Sequence, residues 1–153
     1  MDKVFALSAV IAVAATVMVI TRRNAVHALL YLVVSLFAVA VVMMLLGAAF
    51  VAALEVIVYA GAIMVLFVFV VMMIGPDEAA IRARAWIGPA VLAAVLLGEL
   101  VFVLFRSPPI TLEVAQISPA RVGIALIGPY VVGVEVSAFL LLAGLVGAYH
   151  LGK

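Results

Sequence analysis

Cysteine is absent from the 153 residues of this sequence. Without it the chain has no disulfide, no thiolate nucleophile, and no thiolate ligand for zinc or an iron–sulfur cluster. Histidine is nearly absent too, because His27 and His150 are the only two, which leaves little to ligate a haem or a metal ion. The scarcity of both residue types predicts a protein with no redox centre of its own.

Charged residues are equally scarce, at 10% of the chain with a formal net charge of +1. An average soluble domain is about half apolar and about a quarter charged. This chain is 71% apolar, with a mean hydropathy of +1.56, so it has too little polar surface to cover a water-soluble globule. It also has no basic run of the kind that binds nucleic acid. The composition therefore predicts a protein whose solvent is the lipid bilayer.

Five apolar stretches qualify, or nearly so, to cross a bilayer core, which needs about 20 helical residues. They are residues 4–20, 28–46, 50–74, 86–105 and 131–149. Gly47, Gly75-Pro76 and Pro108-Pro109 separate them, because proline removes a backbone donor and restricts the residue before it. We predict an all-α integral membrane protein, with residues 1–153 forming a single transmembrane domain. Residues 106–130 are expected to be a long outer loop that holds at most a short interfacial helix.

The orientation is predicted from the lysines and arginines of the connections, which are enriched on the cytoplasmic side. One side would carry Arg22, Arg23, Arg82, Arg84 and Lys153, and the other Lys3, Arg106 and Arg121. This bias places the N-terminus outside and the C-terminus in the cytoplasm. The first stretch could be a signal peptide, but its weakly charged start and long apolar run favour a retained helix.

Glutamates lie within the predicted spans at three positions, Glu55, Glu99 and Glu135, all in the outer half. No lysine or arginine lies inside any predicted span. A buried, unpaired carboxylate is so costly that it takes up a proton, contacts water or pairs with another subunit. Ionisable groups within the membrane are candidates for function. The alternative is a structural carboxyl near the headgroups, and this fits the shallow Glu135 best.

The third stretch has the most distinctive pattern. Glu55 and Tyr59 are spaced i, i+4, so they share one helix face and can hydrogen-bond or share water. The small residues Ala60-Gly61-Ala62 follow, and such a patch lets another helix approach closely. A glycine after β-branched residues also tolerates a turn with an extra residue. Spacing alone favours a packing notch and leaves the wider turn open.

Residues Phe50–Met73 (FVAALEVIVYAGAIMVLFVFVVMM) resemble the signature helix of subunit J of bacterial NADH-quinone oxidoreductase, respiratory complex I. Its mitochondrial counterpart is NADH dehydrogenase subunit 6. Residues Asn24–Tyr31 (NAVHALLY) are similar to the start of that family's second helix. Residues 130–147 resemble its last helix more loosely. The fourth stretch, with Glu99, matches no pattern of the family.

The resemblance implies five transmembrane helices with the N-terminus outside, in the inner membrane of a bacterium. It implies a non-redox membrane-arm subunit that couples quinone reduction to proton translocation, and an isolated chain with no catalytic residue. The expected partners are lipid and the other membrane subunits of complex I: subunits A, H and K and the antiporter-like subunits. NADH, FMN, iron–sulfur clusters and quinone are expected in other subunits, with no cofactor or metal bound by this chain.

The resemblance also implies a π-bulge in the third helix, near Tyr59 to Val65, whose rotation takes part in coupling. That shifts the interpretation of the small-residue patch from a packing notch toward a switch. The residues expected to serve the proton path and the coupling are Glu55, Tyr59, Gly61, Met64, Val65, Glu99 and Glu135.

Two other classes of function stay open at this point. One is a small proton-coupled ion or drug transporter that acts as an oligomer, with a membrane glutamate as the proton carrier. The other is a membrane anchor for a haem enzyme that uses His27 and His150. Within the leading class, the electron donor of the complex is open among NADH, ferredoxin and F420.

Overall fold

The computed structural model describes residues 2–75, 86–106 and 117–152. The chain divides into two compact units, Met1–Gln116 and Ile117–Lys153. The single transmembrane domain over residues 1–153 stays a prediction, and each unit is described by itself.

The first unit is helical in every segment that the structure describes. Its helices are α1 (Asp2–Thr21), α2 (Ala25–Leu45), α3 (Ala49–Leu54), the π-helix π1 (Glu55–Ile63), α4 (Met64–Ile74) and α5 (Ile87–Arg106). The segments α3, π1 and α4 run without interruption as one rod of 26 residues, Ala49–Ile74. We call it the third rod, because it follows the long helices α1 and α2.

The second unit contains a short helix and a long one, α6 (Pro119–Ile127) and α7 (Val131–Leu151). Ser118 caps α6, because its hydroxyl accepts from the Arg121 N–H at 3.4 Å, and Pro119 occupies the first turn. Helix α6 lies inside the predicted outer loop, at the place where a short interfacial helix was allowed. The loop residues 107–116 are outside the described part.

The prediction of an all-α membrane protein is confirmed. Within the described residues, α1 from Lys3 onward, α2, the third rod and α7 are long and apolar enough to cross a membrane. The apolar part of α5, Ile87–Phe102, is shorter. The observed helix ends lie within three residues of the predicted ends.

The largest of these differences is at the start of α2, which begins at Ala25 rather than at residue 28. Asn24 is the reason, because its side-chain oxygen accepts from the Val26 N–H at 3.0 Å and the His27 N–H at 3.4 Å. This cap satisfies donors that the first helical turn leaves free. The polar residues before the apolar run therefore belong to the helix.

Gly47 turns the chain sharply between α2 and α3. Its φ of 85° lies in the left-handed region that glycine adopts without strain. Its N–H donates to the Met44 oxygen at 3.1 Å, and the Ala48 N–H donates to the Met43 oxygen at 3.0 Å. These two bonds form a Schellman motif, which lets the third rod fold back beside α2.

The core of the first unit lies where α1, α2 and α5 meet. Its buried members are Ile11, Ala15, Val34, Ala38, Val41 and Leu96. The small Ala15 and Ala38 let the α1 and α2 backbones approach closely, as is usual between membrane helices. Thr16 Oγ1 and Ser35 Oγ join the pair at 2.8 Å, and the Ser35 hydroxyl also donates to the Ala12 oxygen at 3.2 Å.

Helix α5 joins this core at its first turn, where Gly88 faces Tyr31 of α2. A Cβ added to Gly88 would collide with the Tyr31 hydroxyl oxygen and would lie 3.2 Å from Cζ. Tyr31 is itself buried, and the Arg22 guanidinium lies 5.4 Å from the centre of its ring. Because both contacting residues lie at the beginnings of their helices, α5 runs parallel to α2.

The Gly88 contact gives a matched prediction. Gly88→Ala is expected to lower the yield of assembled protein in the membrane, because overpacking of this kind costs about 1–3 kcal/mol. Tyr31→Phe removes the colliding oxygen, so the double variant Tyr31→Phe/Gly88→Ala should recover most of the yield. Quantitative immunoblots of membranes with a C-terminal tag measure both. Equal loss in the single and double variants would show that this contact does not position α5.

Candidate functional site

The centre of the third rod is a π-helix of nine residues, Glu55–Ile63. At its end the Met64 N–H donates to the Tyr59 oxygen, five residues earlier, whereas at its start the Glu55 N–H still donates to the Val51 oxygen, four residues earlier. The resemblance placed a π-bulge near Tyr59 to Val65. The observed π-helix overlaps that range: it begins four residues before the start of the range and ends two residues before the end of the range.

Gly61 lies in the tight part of this π-helix. A Cβ at position 61 would stand 3.2 Å from the Val56 oxygen, five residues back, which is closer than most Cβ contacts in proteins. Any larger residue must therefore displace that carbonyl, which belongs to the wide turn itself. Glycine therefore fits this π-helical backbone without a shift of the Val56 carbonyl, in addition to any role in helix–helix approach.

Glu55 and Tyr59 both lie in the π-helix but differ in burial. Glu55 is partly buried, while Tyr59 exposes 51% of its surface. No hydrogen bond joins the two side chains in the described part of the chain. The sequence pairs them on one face, and the structure leaves the phenol directed away from the unit. Tyr59 is therefore available to a partner or to water that also reaches Glu55.

The opposite face of the rod is directed inward. Ala52, Ala60 and Met64 are buried, and Met64 exposes only 4% of its surface. This face packs toward α2. Val65, the next residue, exposes 66%. Of the two candidate residues after the π-helix, one is therefore in the core and the other is on the outer surface.

An apolar groove of about 420 Å³ runs beside the start of the π-helix, between α2 and the third rod. The lining residues are Phe37, Ala40, Val41, Met44, Ala49, Ala52, Ala53, Val56, Ile57 and Leu100. The groove places free volume next to the segment whose backbone departs from α-helical geometry.

Glu99 is buried in α5, with 7% of its surface exposed. Neither carboxyl oxygen has a hydrogen-bond partner among the described residues. Ser8 of α1 is fully buried, and its hydroxyl also lacks a partner within the described residues. Sequence analysis singled out Glu99 but missed Ser8. The signal was present, since Ser8, Ile11 and Ala15 form one helical stripe, and the other two are apolar core residues.

The remaining candidates belong to helices other than the π-helix. Glu135 belongs to the second unit and is exposed on α7, four residues after its start, and His150 is exposed in the last turn of the same helix. His27 is in the first turn of α2, with its Nε2 buried and without a partner in the described part. Among the described residues, no three His, Asp or Glu side chains come together to hold a metal ion.

Known proteins match this chain over nearly its whole length. Residues 15–151 match the family model of NADH-ubiquinone/plastoquinone oxidoreductase chain 6. The chain is 50% identical to NADH-quinone oxidoreductase subunit J of Pseudomonas aeruginosa, over all of this chain and 97% of the relative. It is 48% identical to subunit J of Escherichia coli K12, over all of this chain and 87% of the relative. Subunit J of Buchnera aphidicola from Schizaphis graminum is 40% identical, over 98% of its length.

These similarities cover both units of the fold, including the π-helix with Glu55, Tyr59 and Gly61. The chain therefore belongs to the family of chain 6, or subunit J, of NADH-quinone oxidoreductase.

Proposed function

We propose that this chain is the non-redox, energy-coupling membrane-arm subunit of a proton-pumping NADH-quinone oxidoreductase, respiratory complex I. Family membership supports this, because relatives that match the whole chain are subunit J of that enzyme. The other subunits of complex I are accordingly its partners. The small proton-coupled transporter and the haem anchor are not favoured by this membership.

The finer assignments follow from the same proposal. The chain contacts lipid and lies beside subunits A, H and K and the antiporter-like subunits, in the bacterial inner membrane, with its N-terminus outside. The positive charges of the connections support that orientation. Catalysis belongs to the whole complex, a proton translocase, and the isolated chain does not catalyse. The lack of cysteine supports the assignment of NADH, FMN, iron–sulfur clusters and quinone to other subunits.

The single observation that carries the coupling role is the π-helix across the middle of the third rod. Each residue of an α-helix turns the chain by about 100°. The π-helix holds one residue more than an α-helix over the same turns, so its conversion into an α-helix adds one residue's turn and rotates α4 by about that angle. Met64 is buried, whereas Ile63 and Val65 are exposed. A rotation of this size brings Ile63 into the place of Met64 and Met64 into the place of Val65. Two packings of this rod give the chain a discrete switch.

The switch is next to groups that carry protons. Glu55 and Tyr59 lie within the π-helix, so a change in its turns alters the distance between carboxyl and phenol. In one state water joins them, and in the other the path is broken. Glu99 on α5 and Glu135 on α7 also serve the proton path in this proposal, each as a carboxyl group within an apolar helix. Gly61, Met64 and Val65 set the state of the backbone and its packing.

The proposal is tested on the complex purified through a tag at the C-terminus of this chain. Tagged material should migrate on a native gel as a complex of several subunits that stains for NADH-dye activity. Glu55→Gln should leave that stain unchanged and lower proton translocation per NADH oxidised, because an amide does not release a proton. The loss should reach about a hundredfold, the low end of what a proton-transferring group contributes.

Glu55→Asp is the matched control, because it keeps the carboxyl group and should retain much of the translocation. A tagged chain that migrates as a small homo-oligomer would contradict membership of the complex. A large complex without NADH-dye staining would contradict NADH as the electron donor. Full translocation by Glu55→Gln would remove Glu55 from the proton route.

A further inference from the structure

Ser8 and Glu99 border the same end of the core between α1, α2 and α5. Ile11 and Leu96 belong to one buried cluster. Ser8 precedes Ile11 by one turn and Glu99 follows Leu96 by one turn, so each lies about 4.5 Å beyond its cluster residue.

The direction of these two displacements is the same. Helix α1 is antiparallel to α2, as the short connection and the Thr16–Ser35 hydrogen bond show. Helix α5 is parallel to α2, since Gly88 meets Tyr31 at the beginnings of both helices. Moving toward the N-terminus along α1 and toward the C-terminus along α5 therefore leads to the same end of the bundle. The Ser8 hydroxyl and the Glu99 carboxyl lie at the same level there.

Both side chains are at least nine-tenths buried, with 0% of Ser8 and 7% of Glu99 exposed. The three oxygens, Ser8 Oγ and both carboxyl oxygens of Glu99, lack hydrogen-bond partners within the described residues. Buried polar groups in proteins are almost always hydrogen-bonded, to protein or to ordered water. A buried water makes about three hydrogen bonds to such groups. Three unpartnered oxygens at one level match that requirement.

The cluster residues one turn away from this pair, Ile11 and Leu96, are apolar. A carboxyl group buried beside an apolar core is costly unless it is hydrogen-bonded.

We propose that Ser8 and Glu99 together form a water-binding polar site at this end of the core. The water hydrogen-bonds to the Glu99 carboxyl, and the Ser8 hydroxyl completes the hydrogen bonds of that water. Ser8 acts as a positioning residue for this water beside Glu99. The site deepens the proposed function. Only the placement of Glu99 on the proton route rests on that function.

The test uses the intact purified complex grown with glutamate labelled with ¹³C at its side-chain carboxyl. The isotope-sensitive carboxyl band that is lost in Glu99→Gln belongs to Glu99. In Ser8→Ala this band should move, because the carboxyl loses part of its hydrogen bonding. Thr21→Ala is the control, since the Thr21 hydroxyl is exposed and bonds to the Val17 oxygen of its own helix. It should leave the band in place.

Thermal inactivation of the same complexes provides the second measurement. Ser8→Ala and Glu99→Gln should each accelerate inactivation several-fold, and the double variant should be no faster than the worse single variant, because partners in one network are not additive. Multiplicative effects would overturn the shared site. The shared site is also wrong if no carboxyl band can be assigned to Glu99, or if Ser8→Ala does not move that band.

The two proposals are separated by proton translocation in Glu99→Gln. If the band and the non-additivity are found while translocation per NADH is unchanged, the water site stands and Glu99 leaves the proton route. If translocation falls but the band does not respond to Ser8→Ala, Glu99 keeps its route and the shared site is wrong.

Discussion

Gly61→Ala is expected to lower quinone reduction by the assembled complex about tenfold, while NADH-dye activity stays at its normal level. The added Cβ would lie 3.2 Å from the Val56 oxygen of the π-helix. Overpacking of this degree costs about 1–3 kcal/mol, and about 1.4 kcal/mol changes an equilibrium tenfold. An α-helix places no such restriction on alanine, so the substitution penalises one state of the switch and spares the other.

The measurement is NADH oxidation with a quinone acceptor, beside proton uptake into sealed vesicles. Gly98→Ala is the matched control, because a Cβ there meets nothing within 4 Å in the described structure. It should retain normal activity and assembly. Normal coupled turnover in Gly61→Ala would show that the π-helix is a fixed feature. A bulkier residue, as in Gly61→Val, should have a larger effect in the same direction.

Ile63 and Met64 form the second test, because they are adjacent in sequence and opposite in burial. Met64→Ala removes a side chain that is 4% exposed, and deletions of this kind cost about 2–5 kcal/mol. The complex with Met64→Ala should therefore assemble poorly and lose activity rapidly on warming. Thermal inactivation rates and the yield of tagged complex measure this loss.

Ile63→Ala separates packing from switching. Ile63 is 45% exposed in this structure, so its truncation should affect the stability of the first unit much less than Met64→Ala does. The rotated state buries Ile63 in the place of Met64, so truncation should slow coupled turnover several-fold. Normal turnover together with normal stability in Ile63→Ala would contradict the rotation of α4. A loss of stability equal to that of Met64→Ala would assign Ile63 to a fixed interface with a partner subunit.

Several parts of the fold could be predicted from local sequence. The positions of the apolar helices followed from length and hydropathy, because every backbone polar group in a bilayer must bond within its own helix. The helix ends were less accurate, since the Asn24 cap extends α2 beyond its apolar run. Gly47 was identified as a breaker, and its positive φ explains why glycine is needed there.

The candidate site was predicted unevenly. Glu55, Tyr59 and Gly61 stand out as polar or small residues in an apolar run, but their spacing alone favoured an α-helical notch. The spacing of side chains does not reveal whether a backbone N–H bonds four or five residues back. Only the resemblance to subunit J implied a π-bulge, and it placed that bulge several residues later than the observed Glu55–Ile63.

The sequence by itself determined the solvent, the helices and the family, because these depend on composition and on residues close together in the chain. The tertiary structure decided which faces are buried. It brought Gly88 against Tyr31 and placed Ser8 level with Glu99 across more than 90 residues of chain. Such pairs depend on the register of helices that are distant in sequence. That register is set by packing between small and large side chains, which no local pattern of one helix specifies.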